Sequence, residues 1–310
     1  MSTHPSTTTE VAKICDSYGR YLQKVKQLCD ETVSKRKYYL KKMFAELNIS
    51  QDCDLNKQLT AESITTFILD YGKSHGPGSS QDMSSCIRSF LRYCHLNKIL
   101  DRDFTALIPT VHRWQLAKIP KAVSDEQISQ LLDSINGTST IDLRDKAIIT
   151  LLAVYGIRGV HLRRLCLSDL DWEKEIIHFP ATKNGPPIDQ PITVEAGNCL
   201  SEYLLKSRPH CSFKEVFLME SQPVHPMTDS RNISNILRGR FKQAGIKLSE
   251  GVSYGSHGFR HAFATRLVGR IPFLELSEML GHSNPNSTFL YSKVAFSMLQ
   301  EAAIVWPEEV

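Results

Sequence analysis

The sequence predicts a mainly α-helical protein with one small β-hairpin, an α+β class in which a helical first domain precedes a mixed second domain. Apolar side chains recur every three or four residues early in the chain, as Tyr39, Met43 and Leu47 illustrate, and this spacing is typical of helices with one buried face. Further along, apolar and β-branched runs at 175–179 and 188–194 flank an Asn-Gly pair, which predicts a hairpin turn. A length of 310 residues suits about two domains.

The composition excludes several classes of protein. An apolar fraction of 41% is enough to build a core, and no apolar run of about 18 residues, the length that spans a membrane, occurs. The first ten residues are rich in Ser and Thr and lack the apolar segment of a secretory signal. The eight cysteines form no CxxC pair, so we expect no zinc site, and we predict that Cys86 and Cys94 are small core residues. A reducing cytosol is the expected compartment.

The first predicted domain, residues 10–108, is a small bundle of helices. Helical spacing of apolar side chains runs through 21–32, and again through 61–71 and 82–96. The last two helices are separated by 72–80, where Gly, Pro and Ser predict a loop.

The second predicted domain, residues 122–310, follows a linker at 109–121 that contains two prolines and four basic or imidazole side chains. Ser124 and Gln127 predict a capping box at the start of its first helix. A later apolar helix is expected to end at Gly156, and the chain after the hairpin region is expected to return to helix.

Positive charge is concentrated in the first part of the chain. Residues 1–120 contain 17 Lys and Arg against 12 Asp and Glu, a net charge of +5, whereas the whole chain carries +4. Such a balance favours a polyanionic partner, although a solvated basic surface explains each residue equally well. The candidate phosphate-contacting side chains of the first domain are Lys35, Arg36, Lys37, Lys41, Lys42, Arg88 and Arg92.

Six polar residues of the second domain are the candidate catalytic group. They are Arg158, Lys183, His257, Arg260, His282 and Tyr291. Taken singly, each has a structural explanation, such as a surface ion pair, a solvated lysine at a turn, a helix cap or an amphipathic core tyrosine. Taken together, they match the requirements of attack on a phosphodiester.

That chemistry follows from the residue types. Two guanidiniums can donate paired hydrogen bonds to the charge that builds on the nonbridging oxygens. A histidine can bind the phosphate or handle the proton of the nucleophile, and a lysine can protonate the leaving oxygen. A tyrosine hydroxyl is a feasible covalent nucleophile once its proton is removed. No acidic metal-binding cluster is apparent in the sequence, so we expect neither a metal nor another cofactor.

At these residues the sequence resembles the tyrosine recombinase, or phage integrase, family. The matching stretches are Tyr155-Gly-Ile-Arg158, Thr182-Lys-Asn-Gly185, His257-Gly-Phe-Arg-His-Ala-Phe-Ala-Thr265, Leu280-Gly-His-Ser283 and Tyr291. Their order and spacing agree with the family across about residues 122–295, and the first domain resembles the helical core-binding domain of the family more loosely.

The resemblance implies a role for each catalytic candidate. The two arginines would clamp the scissile phosphate, and Lys183 would protonate the departing 5′ oxygen. The two histidines would assist in proton handling and phosphate binding. Tyr291 would form a 3′-phosphotyrosyl link that the 5′ hydroxyl of another strand reverses, so that neither ATP nor a metal is needed.

The sequence departs from the family pattern in two places. His161 stands where a supporting glutamate is common, three residues after the first arginine. Pro186 and Pro187 follow the hairpin lysine where basic residues are frequent, and prolines remove backbone donors from a strand. These departures affect the expected local geometry and the assignment of Lys183.

The resemblance also implies partners. It predicts double-stranded DNA held in a clamp, with Arg113 and Lys118 of the linker as further DNA contacts. Arg238 and Arg240 are candidate groove-contacting residues, and surface ion pairs explain them equally well. A homo-tetramer on synapsed DNA sites is also expected, either alone or with a second recombinase or an architectural protein. An apolar tail after Tyr291 is expected to dock on a neighbouring protomer or on its own domain. A cytoplasmic, nucleoid-associated recombinase of a mobile element is the favoured interpretation. A strand-relaxing enzyme like the type IB topoisomerases and a catalytically silent DNA-binding protein remain as alternatives.

Overall fold

The chain folds into two compact units, Met1–Trp114 and Gln115–Val310, which are described separately below. The computed structural model describes residues 10–49, 54–110, 121–182, 185–229, 231–283 and 287–292. Most of the predicted linker, residues 111–120, lies outside these ranges. No helix in this part of the chain combines the length and the apolar character needed to cross a membrane.

The described residues of the first unit form helices joined by short connections, without a β-strand. The helices are α1 (Glu10–Lys24), α2 (Asp30–Glu46), α3 (Leu55–Gln58), α4 (Ala61–Ser74), α5 (Pro77–Leu96) and a 3₁₀ turn (Thr105–Leu107). The longest helix, α5, packs against α2 and α4, and α1 packs against α2. The ring of Tyr18 meets the edge of Phe90 in the core, and its hydroxyl donates to Ser89 at 2.9 Å. Cys86 and Cys94 are fully buried, as predicted.

Two boundaries in this unit differ from the prediction. The helix expected over 21–32 is interrupted, because the backbone at Gln27 adopts φ 51° and a new helix begins at Asp30. The loop expected over 72–80 is almost absent. Since Pro77 occupies the first turn of α5, where its missing N–H costs nothing, the Gly-, Pro- and Ser-rich stretch starts a helix instead of breaking one.

The second unit combines helices with two small antiparallel sheets. Its α-helices are α6 (Asp125–Asp133), α7 (Thr140–Tyr155), α8 (Gly159–Arg164), α9 (Val194–Lys206), α10 (Arg231–Gln243), α11 (Ser256–Leu267) and α12 (Phe273–Met279). Its 3₁₀ turns are Leu167–Asp169 and Phe289–Tyr291, and its strands are β1 (Leu170–Asp171), β2 (Ile176–Phe179), β3 (Ile188–Pro191), β4 (Leu218–Met219) and β5 (His225–Pro226). The predicted fold class, mainly helical with a small sheet, is confirmed.

The core of this unit forms around α7. Residues 147–153 of this helix are buried without interruption, so the helix has no solvent face over that stretch. Helices α9 and α11 pack against it, and the sheet closes the core through Ile177 and Phe179. The capping box predicted at the start of α6 is present, with the Gln127 amide N–H donating to the Ser124 hydroxyl at 3.2 Å. A long buried helix therefore fixes the positions of the shorter elements around it.

The hairpin is present but shorter than predicted. Strands β2 and β3 pair antiparallel with Phe179 opposite Ile188, and β1 adds a third strand at the other edge of β2. The second strand ends at Pro191 and not at residue 194, because the Thr193 hydroxyl caps α9. The sequence reading missed β1 and the β4–β5 pair, whose two-residue strands are too short to show an alternating pattern.

Gly156 joins α7 to the residues that follow it. Its φ of +58° is left-handed, as at many helix C-termini, and its N–H donates to the carbonyl of Leu152 at 3.1 Å. A Cβ at this position would lie 2.5 Å from the ring of Phe263 on α11. Only glycine therefore fits both the backbone conformation and the space.

We expect Gly156→Ala to lower the free energy of unfolding by about 2–5 kcal/mol, because it adds left-handed strain to overpacking against Phe263. Urea denaturation followed by circular dichroism measures this change. Gly239→Ala is the matched control, since Gly239 lies exposed within α10 with nothing within 4 Å of a new Cβ. This control is expected to be neutral or stabilising by up to about 1 kcal/mol. Equal stability of the two variants would contradict our account of Gly156.

Candidate active site

Two guanidiniums meet at the ends of α7 and α12. Arg158, at the start of α8, donates to the carbonyl of Gly281 at 3.2 Å. Arg260, on α11, donates to the carbonyls of Gly156 at 3.0 Å and Leu280 at 2.5 Å. Within the described ranges, neither guanidinium forms an ion pair with a carboxylate. Two neighbouring cations held only by carbonyls make a site suited to an anion.

Burial makes it costly for both arginines to carry their positive charge. Arg260 is 3% exposed, and burial, followed by the charge of Arg158, lowers its pKa to about 9. Burial also lowers the pKa of Arg158. Arg260 still carries its charge at neutral pH, where an anion between the two groups would relieve both the desolvation and their mutual repulsion.

Tyr291 lies against the same helix as Arg260. Its side chain is 2% exposed and packs in a small apolar cluster with Phe263, Leu276 and Leu280, separate from the main core. Burial raises the pKa of the Tyr291 hydroxyl to about 12, although the two guanidiniums act to lower it. The hydroxyl therefore needs help to lose its proton, and the neighbouring cations would stabilise the resulting phenolate.

Three histidines surround this tyrosine and the arginines. His257 and His261 lie one turn apart on α11, with ring centres 6.5 Å apart, and Nδ1 of His282 lies 2.7 Å from the hydroxyl of Thr288. Desolvation, followed by nearby positive groups, lowers the pKa of His282 to about 3 and that of His261 to about 4. The pKa of His257 is also lowered, by the protein packed around its ring and then by the guanidiniums, although the residue as a whole is exposed. At neutral pH these rings are uncharged and can accept a proton.

Lys183, which the sequence predicts at the tip of the hairpin, lies outside the described residues. The base of the same hairpin is described and approaches the two arginines closely. Thr182 and Gly185 exchange backbone hydrogen bonds, and a Cβ on Gly185 would clash with the carbonyl oxygen of Gly281 and lie 3.2 Å from Nη1 of Arg158. The structure thus gathers the other five predicted catalytic residues and brings the hairpin to them, while the position of Lys183 stays a prediction.

His161 has a clear structural role. Its ring is fully buried, and its Nδ1 accepts the backbone N–H of Arg158 at 3.3 Å. A glutamate at this third helical position commonly accepts the same N–H in a capping box, so the histidine reproduces that contact without the charge. Burial, followed by the charge of Arg158, lowers the pKa of His161 to about 3, and the ring is therefore neutral.

Three of the predicted DNA-contacting lysines form ion pairs near the surface of the first unit. The pairs are Lys35–Asp82 at 2.6 Å, Lys37–Asp16 at 2.8 Å and Lys42–Glu46 at 3.7 Å. Ion pairs in such settings contribute only about 0–1 kcal/mol, so a phosphate could replace these carboxylates at small cost.

The other candidate DNA contacts of the first unit differ in whether their side chains already have hydrogen-bond partners. Arg36 donates to the hydroxyl of Tyr18 at 3.3 Å, and Arg88 donates to the carbonyls of Ile108 and Pro109, so both help to hold their own unit together. Two exposed side chains, those of Lys41 and Arg92, have no hydrogen-bond or ion-pair partner among the described residues. Arg113 and Lys118 lie outside the described ranges.

Arg238 and Arg240 lie in different environments although both belong to α10. Arg240 is 12% exposed and pairs with Asp142 at 2.8 Å and Asp145 at 2.7 Å, both on α7. Asp145 also holds Arg144 at 2.7 Å. The guanidinium of Arg240 is therefore occupied in joining α10 to α7, whereas Arg238 is exposed and can reach a ligand.

The sequence reading missed His261. Its Nδ1 lies 2.8 Å from the hydroxyl of Tyr291, closer to the candidate nucleophile than any other hydrogen-bonding group in the described residues. The signal was present, because His261 follows Arg260 and stands four residues after His257, on the same helical face. Nothing in the sequence shows, however, that Tyr291 packs against this face.

Comparison with known proteins gives a consistent result. Residues 121–298 match the phage integrase family. A putative integrase/recombinase y4rF of Sinorhizobium fredii is 34% identical over 74% of this chain and 54% of its own length. The tyrosine recombinase XerD of Haemophilus ducreyi is 30% identical over 78% of this chain and 80% of its own length. The chain thus spans only about half of y4rF but most of XerD.

Solved structures share the fold at low sequence identity. The XerH site-specific recombinase in a post-cleavage complex with palindromic difH substrate gives a TM-score of 0.68 at 15% identity, covering 99% of this chain and 100% of that one. A lambda integrase dimer bound to a COC′ core site gives a TM-score of 0.68 at 14% identity, covering 96% and 80%. At these identities the likeness concerns the fold.

We expect Arg240→Met to lower the free energy of unfolding by about 2–4 kcal/mol, because it leaves the buried carboxylate of Asp145 without one of its two cations. Urea denaturation measures the change. Arg238→Met, two residues away and exposed, should change stability by no more than about 0.5 kcal/mol. If Arg240→Met weakened DNA binding at unchanged stability, Arg240 would be a DNA contact and not a structural residue.

We expect acid to destabilise the protein partly through His161. The pKa of His161 lies near 3 in the folded protein and near 6.5 in the unfolded chain. Below pH 6.5 the unfolded chain therefore binds one more proton than the folded protein, and the free energy of unfolding decreases as the pH is lowered. His161→Gln removes this group and should reduce the slope of unfolding free energy against pH by up to about 1.4 kcal/mol per unit between pH 6 and 4. Between pH 7 and 8, where the ring is neutral in both states, the slopes should agree. An unchanged acid slope would show that His161 is not buried as a neutral ring.

Proposed function

The chain belongs to the phage integrase family, and on that premise we propose that it is a site-specific DNA recombinase. It cleaves and rejoins DNA strands through a covalent 3′-phosphotyrosyl intermediate. One observation supports this function above the others: two guanidiniums that pair with no carboxylate of the described residues lie beside a buried tyrosine hydroxyl.

The two arginines act on the scissile phosphate. A phosphodiester carries one negative charge, and further charge builds on its nonbridging oxygens as a fifth oxygen approaches. Arg158 and Arg260 supply fixed positive charge at low solvent exposure, where such interactions are much stronger than in water. Because the guanidiniums are already oriented by three carbonyls, little reorganisation is needed during the reaction.

Tyr291 is the nucleophile. Its oxygen forms a bond to phosphorus, and the bond from phosphorus to the 5′ oxygen breaks. Lys183 would protonate that leaving oxygen, an assignment that rests on its place in the hairpin sequence. His257 and His282, neutral at pH 7, bind the phosphate and assist in moving protons. The covalent link conserves the energy of the phosphodiester, so a 5′ hydroxyl can reverse it.

Double-stranded DNA is the proposed substrate. The XerH recombinase is bound to a palindromic difH substrate, and the lambda integrase dimer is bound to a COC′ core site. In this chain, the exposed Lys41 and Arg92, together with Lys35 and Lys37 in their solvent-exposed ion pairs, can supply salt-dependent phosphate contacts. Arg238 is the candidate for contacts from the second unit.

The assembly and the biological setting form the finer part of the proposal. The enzyme works as a homo-tetramer on synapsed sites, in the cytoplasm at the nucleoid, with a second recombinase or an architectural protein where the site requires one. The apolar tail after Tyr291, which lies outside the described residues, docks on a neighbouring protomer. Relatives named as integrase/recombinase favour a mobile element as the source of the gene.

The test is covalent trapping. Nicked duplexes tiled across the DNA that flanks the gene act as suicide substrates, because the short fragment released by cleavage diffuses away. We expect a DNA–protein adduct that survives detergent, that is lost in Tyr291→Phe and that persists in Tyr254→Phe, a matched change outside the site. Denaturing gels measure the adduct.

Each outcome separates the alternatives. An adduct retained in Tyr291→Phe would overturn the assignment of the nucleophile. Binding to a tile without any adduct would favour a silent DNA-binding protein. Relaxation of supercoiled plasmids that lack a cognate site would favour a strand-relaxing enzyme over a recombinase.

A further inference from the structure

His261 makes the only hydrogen bond to the Tyr291 hydroxyl among the described residues. The distance between Nδ1 and the phenolic oxygen is 2.8 Å, and the two ring centres lie 5.7 Å apart. Tyr291 is almost fully buried, so water has little access to its hydroxyl. Among the described residues, Nδ1 of His261 is therefore the one group placed to accept the proton that Tyr291 must lose.

The other two histidines of the site are placed differently. Nδ1 of His282 is engaged with the hydroxyl of Thr288 at 2.7 Å. His257 lies one turn of α11 before His261, and its ring contacts that of His261 and not that of Tyr291. Geometry thus distinguishes His261 from the two histidines that the family pattern highlights.

We propose that His261 is a catalytic residue: it orients the hydroxyl of Tyr291 and accepts its proton as the oxygen attacks. This inference rests on the proposed function, because it assumes that Tyr291 is the nucleophile.

The proton balance of the step is complete. The Tyr291 oxygen bonds to phosphorus while its proton moves to Nδ1 of His261, and Nε2 of the neutral ring already carries the other proton. The bond from phosphorus to the 5′ oxygen breaks, and that oxygen takes a proton from the general acid. When the 5′ hydroxyl reverses the link, its proton returns to the general acid that the forward step left deprotonated, and His261 returns its own proton to the departing phenolic oxygen.

Substrate binding makes His261 a better base. In the free protein, desolvation, followed by His257 and Arg260, keeps its pKa at about 4. These two groups on α11 and Tyr291 on the facing turn are the titratable neighbours in the described residues. A bound phosphodiester places negative charge beside Arg260, which offsets the positive charge that disfavours protonation of His261. A bound substrate thus makes proton transfer to His261 easier than it is in the free protein.

The experiment measures the rate of adduct formation on a nicked substrate that wild-type protein cleaves. We expect His261→Ala to lower the rate about 10²–10⁴-fold, the usual contribution of a general base, with DNA binding unchanged. His261→Asn offers an acceptor near the same place but cannot take a proton, so it should remain at least tenfold slower than wild type. His210→Ala, an exposed histidine away from the site, is the matched control and should cleave normally.

Two chemical substitutions test whether the rate lost in His261→Ala reflects slower deprotonation of Tyr291 or slower protonation of the leaving oxygen. A fluorinated tyrosine at position 291 loses its proton more readily and should restore at least tenfold of the rate lost in His261→Ala. A substrate with a bridging sulfur at the 5′ position needs no general acid and should give no such restoration.

The outcomes are separable from those for the proposed function. A wild-type rate in His261→Ala or His261→Asn, with the adduct still lost in Tyr291→Phe, would overturn the role of His261 and leave the recombinase intact. Rescue by the sulfur substrate would overturn it too, because it would place the missing proton at the leaving group. Thermal unfolding and DNA binding of each variant show whether the protein remains folded.

Discussion

The buried guanidinium of Arg260 is the contact on which the second unit and its site both depend. It donates to the carbonyls of Gly156 and Leu280, which end α7 and α12. Carbonyls at helix C-termini lack donors from their own helix, and burial makes an unsatisfied carbonyl costly. One side chain on α11 therefore caps the C-termini of two other helices. The same group supplies positive charge to the site, so structure and chemistry share one residue.

This arrangement explains how two cations can lie together without a carboxylate. The C-termini of α7 and α12 present partial negative charge, and backbone carbonyls accept hydrogen bonds from Arg158 and Arg260. A full carboxylate would neutralise the pair and compete with a phosphate. Carbonyl dipoles hold the guanidiniums in position but leave most of their charge available. The neutral histidines around them fit the same logic, because further positive charge is disfavoured there.

Sequence spacing predicted the residues of the site better than it predicted their contacts. Arg158, Arg260 and Tyr291 stand at the intervals of the family pattern and lie together in the structure, and glycine at 156 marked a helix end that the structure confirms. The burial of Arg240 was not predictable in this way, because helical periodicity does not show that two aspartates of α7 face α10. The role of His261 likewise depends on the position of the 3₁₀ turn Phe289–Tyr291, which helical periodicity does not show either.

Local sequence composition gave a wrong prediction where the same residues suit two different structures. The segment 72–80 has the composition of a loop, yet proline and glycine also suit the first turn of a helix, and packing of α5 in the core decided the outcome. Short strands such as β4 and β5 have no pattern of their own and exist because neighbouring elements hold them. Long buried elements were thus the most predictable part of the fold.

The close approach of Gly185 to Gly281 has a consequence for how sequence variation in this protein is interpreted. Neither residue carries a functional group, yet a side chain on the first would strike the backbone of the second, and Gly281 itself has a left-handed backbone packed on Ile188. A survey of mutational tolerance would rank both positions with the catalytic residues. Their intolerance would record the fit between a hairpin and a helix end, so invariance alone is a poor guide to which residues of this site perform chemistry.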